Sequence, residues 1–200
     1  MTAQKQYEQA ERLAREADRN GGPLPVALLQ EAAAAKYPPA VYALANWHLH
    51  GKGVKRDYKK AVELLKMAAA KKHPAAEYDL AVSYELGKGG LPKDPAAALI
   101  WYRRAANDGD LDATTEVARC YYYGIGTRQN RPKAVEWYRK AAERGNMEAQ
   151  YALGRAYELG EGVEPNVEEA VRWYKKAAAQ GGIEADKAAT DLAGQERRGR

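Results

Sequence analysis

The sequence predicts an all-α fold, an α/α superhelical solenoid of helix-turn-helix repeats, on three observations. Residues 38–182 divide into four units of 36–37 residues, at 38–73, 74–110, 111–146 and 147–182. Each unit holds two stretches whose apolar residues recur at helical spacing, and glycines separate most of the stretches. Such a period with helical patterning inside it marks stacked helix pairs, each burying its apolar face only against its neighbours.

Residues 1–37 form an incomplete leading unit, as expected of a terminal cap. Its first helix carries Tyr7, Ala10, Leu13, Ala14 and Ala17, and its second Leu28, Leu29, Ala32 and Ala33, joined by DRNGGPLP. In the four full units, the first helices share an alanine column (Ala40, Ala76, Ala113, Ala149). Four residues on stands a second column (Leu44, Leu80, Val117, Leu153), followed at once by a small residue (Ala45, Ala81, Ala118, Gly154). The next large position is His48, Tyr84, Tyr121 and Tyr157. All of these lie on one helical face.

Each first helix stops at a Gly-x-Gly: Gly51/Gly53, Gly87/Gly89, Gly124/Gly126 and Gly160/Gly162. Glycine reaches the left-handed conformation that ends a helix without a Cβ clash. No Gly-Lys-Ser/Thr follows, so these are turns and not phosphate cradles. Asp57, Asp94, Asn130 and Asn166 are the expected N-caps of the second helices, with Glu169 completing a capping box behind Asn166. The second helices bury Ala61, Leu64, Leu65 and Ala68 in the first full unit, and Trp-Tyr pairs (Trp101-Tyr102, Trp137-Tyr138, Trp173-Tyr174) in the others. Aromatic pairs at one repeated position point to shared core packing, not to a ligand cage. Gly109, Gly145 and Gly181 close these helices, whereas the first unit has Lys72 and turns through His73-Pro74. Residues 183–200 begin as one more first helix, place Ala185 on the alanine column, and cap the stack before fraying in GQERRGR.

The stretch AQYALGRAYELGEGVEPNVEEAVRWYKKAAAQG closely resembles the repeat of the Sel-one-like family, relatives of the tetratricopeptide repeats. Four units satisfy the pattern over residues 38–182, with departures at Leu64-Leu65, His48 and Gly89-Gly90-Leu91. The resemblance implies a superhelical arc that serves as a scaffold or adaptor for protein complexes, commonly in bacteria. It also admits a second role, a dedicated inhibitor or immunity protein that blocks a bacterial toxin or effector in a tight one-to-one complex.

Composition narrows the classes of function. No apolar run is long enough to span a membrane, and the first twenty residues lack the apolar core of a signal peptide. Cys120 is the single cysteine and cannot form an internal disulfide, so cytoplasm is the expected compartment. Three histidines and one cysteine, with no Cys-x-x-Cys or His-Glu-x-x-His, offer neither a catalytic constellation nor a metal site. No enzyme activity and no cofactor are therefore expected. The net charge of +5 comes mainly from 38–73, where eight basic residues face two acidic ones around GKGVKRDYKK. That patch lacks the series of interleaved exposed aromatics a single-strand binder would use, so nucleic acid is not the expected partner. The expected partner is a protein, and the expected state a monomer.

By the tetratricopeptide resemblance, first helices line the concave face. Their residues off the buried columns then become the candidate contacts, among them Thr115, Tyr123 and Glu158. Those singled out are Tyr42, Asn46, Tyr78, Glu85, Arg119, Tyr122, Tyr151 and Arg155. Tyrosine and arginine are the residue types that most often anchor interfaces.

Overall fold

The glycine-punctuated alanine pattern folds as paired helices. The computed structural model describes residues 1–198, with side chains described through Gly194, and the last two residues of the GQERRGR tail lie outside the described residues. Among the described residues there are eleven helices and no strand. The leading pair is α1 (Ala3–Asn20) and α2 (Val26–Ala34). Four full pairs follow: α3 (Pro38–His50) with α4 (Tyr58–Ala69), α5 (Pro74–Leu86) with α6 (Pro95–Asn107), α7 (Leu111–Tyr123) with α8 (Arg131–Glu143), and α9 (Met147–Leu159) with α10 (Val167–Ala178). The last helix is α11 (Ile183–Arg198). Two compact units result, Met1–Asp108 and Gly109–Arg200. Within each, every helix packs on the helices before and after it in the chain, so a second helix bridges two first helices. No described helix is long and apolar enough to cross a membrane.

The expected caps are in place. Asp57, Asp94, Asn130 and Asn166 each accept from a first-turn amide at 2.9 Å. The capping box at Asn166 does not form. Its own amide donates to Tyr157 O at 2.9 Å, and the Glu169 carboxylate accepts from Arg172 at 3.1 Å instead. Asp110 and Asn146 also cap α7 and α9, through bonds of 2.7 and 2.8 Å.

Lys72 takes a left-handed φ of +57°, where the later units have glycine. The turn before α5 therefore forces a lysine into a conformation that costs an L-residue roughly 1 kcal/mol. Lys72→Gly is expected to stabilise the protein by about 0.5–1 kcal/mol, read as a higher urea midpoint at unchanged slope. Lys71→Gly, at a residue of ordinary φ, should instead lose stability.

Packing follows the columns. The alanine column and the Leu/Val column are buried in all four units. Tyr102, Tyr138 and Tyr174 are buried as well. The Trp column departs from the expectation, because Trp173 is buried while Trp101 and Trp137 are only half-buried. In each case the residue one turn on sets a cation over the indole: Arg104 at 4.6 Å, Lys140 at 4.3 Å and Lys176 at 4.0 Å. These cations cover the open ring faces that a neighbour leaves. At the same two positions the first unit has Leu64 and Met67, and neither partner of the pair is present.

Candidate functional site

The eight singled-out residues fall four to each unit. In the unit Met1–Asp108 they serve internal contacts. Tyr42 stacks on the His73 ring, with centroids 4.7 Å apart, and Asn46 donates back to Tyr42 O at 3.4 Å. Tyr78 packs edge-on against Tyr102 at 5.5 Å, and the Tyr102 hydroxyl donates to Glu85 at 2.9 Å. This half of the predicted surface is therefore bound up with the core.

In the unit Gly109–Arg200 three of the four come together. Tyr122, Tyr151 and Arg155 line one recess of about 80 Å³ between α7 and α9. Its floor is apolar, with Val135, Ala152 and Ala156, and Tyr123 and Tyr138 complete its aromatic wall. Tyr151 leans on Tyr174 at 5.4 Å, and Tyr174 donates to Glu158 at 2.6 Å. The wall is thus a supported one, held by second-helix side chains. Arg119 is partly buried and pairs with Glu116 at 2.5 Å, beside Tyr138. Thr115, expected on the same face, is buried and donates to Leu111 O at 3.4 Å.

One wall came from a place that the helical pattern does not reveal. Glu161 is the middle residue of the last Gly-x-Gly, and it reaches back to accept a short hydrogen bond from the Tyr122 hydroxyl. That bond, more than burial, holds the Tyr122 hydroxyl pKa above its usual value. Arg131 pairs with the same carboxylate at 3.3 Å and lies 5.6 Å from the centre of the Tyr122 ring. Glu161 is therefore hydrogen-bonded on one side and ion-paired on the other.

The corresponding recess in the first unit lies between α1 and α3, where Lys52, the middle residue of the first Gly-x-Gly, takes the place of Glu161. Lys52 donates to Asp18 at 2.7 Å, Arg15 pairs with Glu11 at 3.6 Å, and Tyr7 donates to Glu11 at 2.7 Å. Every charge around that recess has a partner. Around the second recess Arg155 is exposed and makes no hydrogen bond or ion pair among the described residues.

Comparison with known proteins follows the same repeat. The model of the Sel1 repeat matches residues 38–73, 74–110, 111–146 and 148–182. Among solved structures, the chain is similar to a Sel1 repeat protein from Oxalobacter formigenes, at 32% identity and a TM-score of 0.75 over 80% of this chain and 65% of that one. It is also similar to c5321, a protective antigen present in uropathogenic Escherichia coli strains that displays an SLR fold. There the identity is 31% and the TM-score 0.84, over 96% of this chain and 44% of that one. A third is immunity protein Pa5087 from Pseudomonas aeruginosa, at 26% identity and a TM-score of 0.53 over 88% and 68%. The chain spans less than two thirds of the length of the first two structures. No curated protein matches it.

Proposed function

Since this chain belongs to the Sel1 repeat family, we propose that it is a non-enzymatic interaction module that holds a protein partner on its first helices, as a scaffold or adaptor. Sel1 repeat proteins are generally protein-interaction scaffolds. The observation that carries the reading is the tyrosine-walled recess, because it gathers Tyr122, Tyr151 and Arg155, which has no ion-pair partner among the described residues, on one supported face. Rigid aromatics beside an arginine are what interface anchors are made of.

Capture with the whole chain as bait, beside an Arg119→Ala/Arg155→Ala double variant, tests this. A partner whose affinity falls about tenfold or more in the variant supports the role, since anchor truncations cost at least that much. A partner held equally by both baits moves the binding surface elsewhere on the chain. The resemblance to an immunity protein favours a second reading, an inhibitor that neutralises one toxin or effector. Native mass spectrometry separates the two readings. A single one-to-one complex that survives dilution to nanomolar concentration supports the inhibitor, and several exchanging partners support the scaffold.

A further inference from the structure

We infer that the recess between α7 and α9 receives an acidic, aliphatic motif of the partner: a leucine-sized side chain enters it, and a carboxylate on an adjacent residue pairs with Arg155. This rests on the interaction role proposed above and specifies the chemistry of the partner.

Size sets the first half of the motif. A recess of about 80 Å³ is roughly half the cavity that accommodates benzene in a protein core, so it suits a branched aliphatic side chain better than a whole aromatic ring. Its apolar floor of Val135, Ala152 and Ala156 offers such a side chain contact without an unmet polar group.

Charge sets the second half. Glu161 and Arg155 are the two charged residues that line the recess. Glu161 already has the Tyr122 hydroxyl and the Arg131 guanidinium. A lysine or arginine entering from a partner would have to displace Arg131, which occupies both the carboxylate and the ring face. The cationic slot of this aromatic wall is therefore filled from within the chain. Other nearby acids are engaged too, Glu116 by Arg119 and Glu158 by Tyr174. What the site leaves uncompensated is the positive charge of Arg155, and a planar guanidinium is suited to a carboxylate.

Three fluorescein-labelled octapeptides test the inference with the full chain. The first is a glycine-serine peptide with one leucine flanked by glutamates. The second has lysines in place of the glutamates, and the third has alanine in place of the leucine. The acidic leucine probe is expected to bind about tenfold or more tightly than either counterpart. Arg155→Glu should abolish that preference or turn it towards the lysine probe. Ala152→Leu, which fills the recess from within, should remove binding of the acidic probe while the thermal transition persists. Lys175→Glu, an equal charge change at an exposed position of α10, should leave binding unchanged. Equal binding of the acidic and lysine probes, indifference to both Arg155→Glu and Ala152→Leu, or no binding of any probe at ~1 mM overturns the inference. A captured partner lost from the Arg119/Arg155 variant while no probe binds keeps the interaction role and rejects the motif. Failure of capture and probes together rejects both.

Discussion

Gly162→Ala is expected to lower the stability of this protein by about 3 kcal/mol or more, read from urea unfolding. Two costs coincide at this residue. Its φ is +79°, which an alanine adopts only with strain. An added Cβ would also stand 2.4 Å from the carbonyl carbon of Arg131 and 2.6 Å from Pro132 N. Those are backbone atoms at the start of α8, fixed by the Asn130 cap, and cannot rotate aside. Gly145→Ala separates the two costs, because Gly145 has φ +94° with nothing within 4 Å of a new Cβ. It should lose only the conformational share, roughly 1–2 kcal/mol. Equal losses in the two variants would show that the close approach of loop to helix does not constrain the fold. Gly89 repeats the arrangement, with a Cβ 2.6 Å from Tyr58 O and 2.4 Å from Val62 Cγ2 of α4. At Gly89 and Gly162 the second glycine of the motif thus lets the loop of one repeat lie against the second helix of the repeat before it.

That double role explains what was legible in the sequence. Gly-x-Gly announced a helix stop, because a left-handed turn is a local requirement. Its contact with the preceding repeat was not legible, since it depends on packing between elements far apart in the chain. The same division runs through the other positions. Repetition exposed the alanine, leucine and tyrosine columns. Trp101 and Trp137 occupy the same column as Trp173 yet stay half-exposed, because the pattern cannot say how much a neighbour covers. Glu169 had capping-box spacing, but Arg172 one turn on offered a charged partner at 3.1 Å. For the candidate site, helical phase placed Tyr122, Tyr151 and Arg155 on one face. It missed Glu161, a loop residue that enters the recess only through its contact with Tyr122. Glu77 was missed for a further reason: amphipathic logic places a glutamate outside.

Glu77 should make this protein lose stability as the pH rises, by on the order of 3 kcal/mol between about pH 5 and pH 8. The residue is 2% exposed, on the position that Val41, Thr114 and Gln150 occupy in the other repeats, and its Oε2 is buried without a hydrogen-bond partner. Burial, then the charge of Asp108, and a hydrogen bond that the protonated carboxyl can make to that carboxylate raise its pKa from 4.5 to about 7, against the opposing pull of Arg104 and Lys72. In the unfolded chain the carboxyl ionises near 4.5, so between 4.5 and about 7 the folded state retains a proton that the unfolded state has released. Its contribution is therefore intact below that window, is lost through it, and levels off above about 7. The last repeat shows what an uncharged group achieves at the same position. Gln150 donates to Ala142 O at 3.1 Å and accepts from Gln180 at 2.8 Å. Glu77→Gln should flatten the pH dependence and raise stability most at pH 8, while changing little at pH 5. Denaturant unfolding of both proteins at the two pH values decides the matter. Parallel pH slopes would mean that Glu77 ionises in the folded state as readily as in the unfolded one, and that the carboxyl finds enough charge relief from Arg104 and Lys72 to remain an ordinary acid inside the repeat.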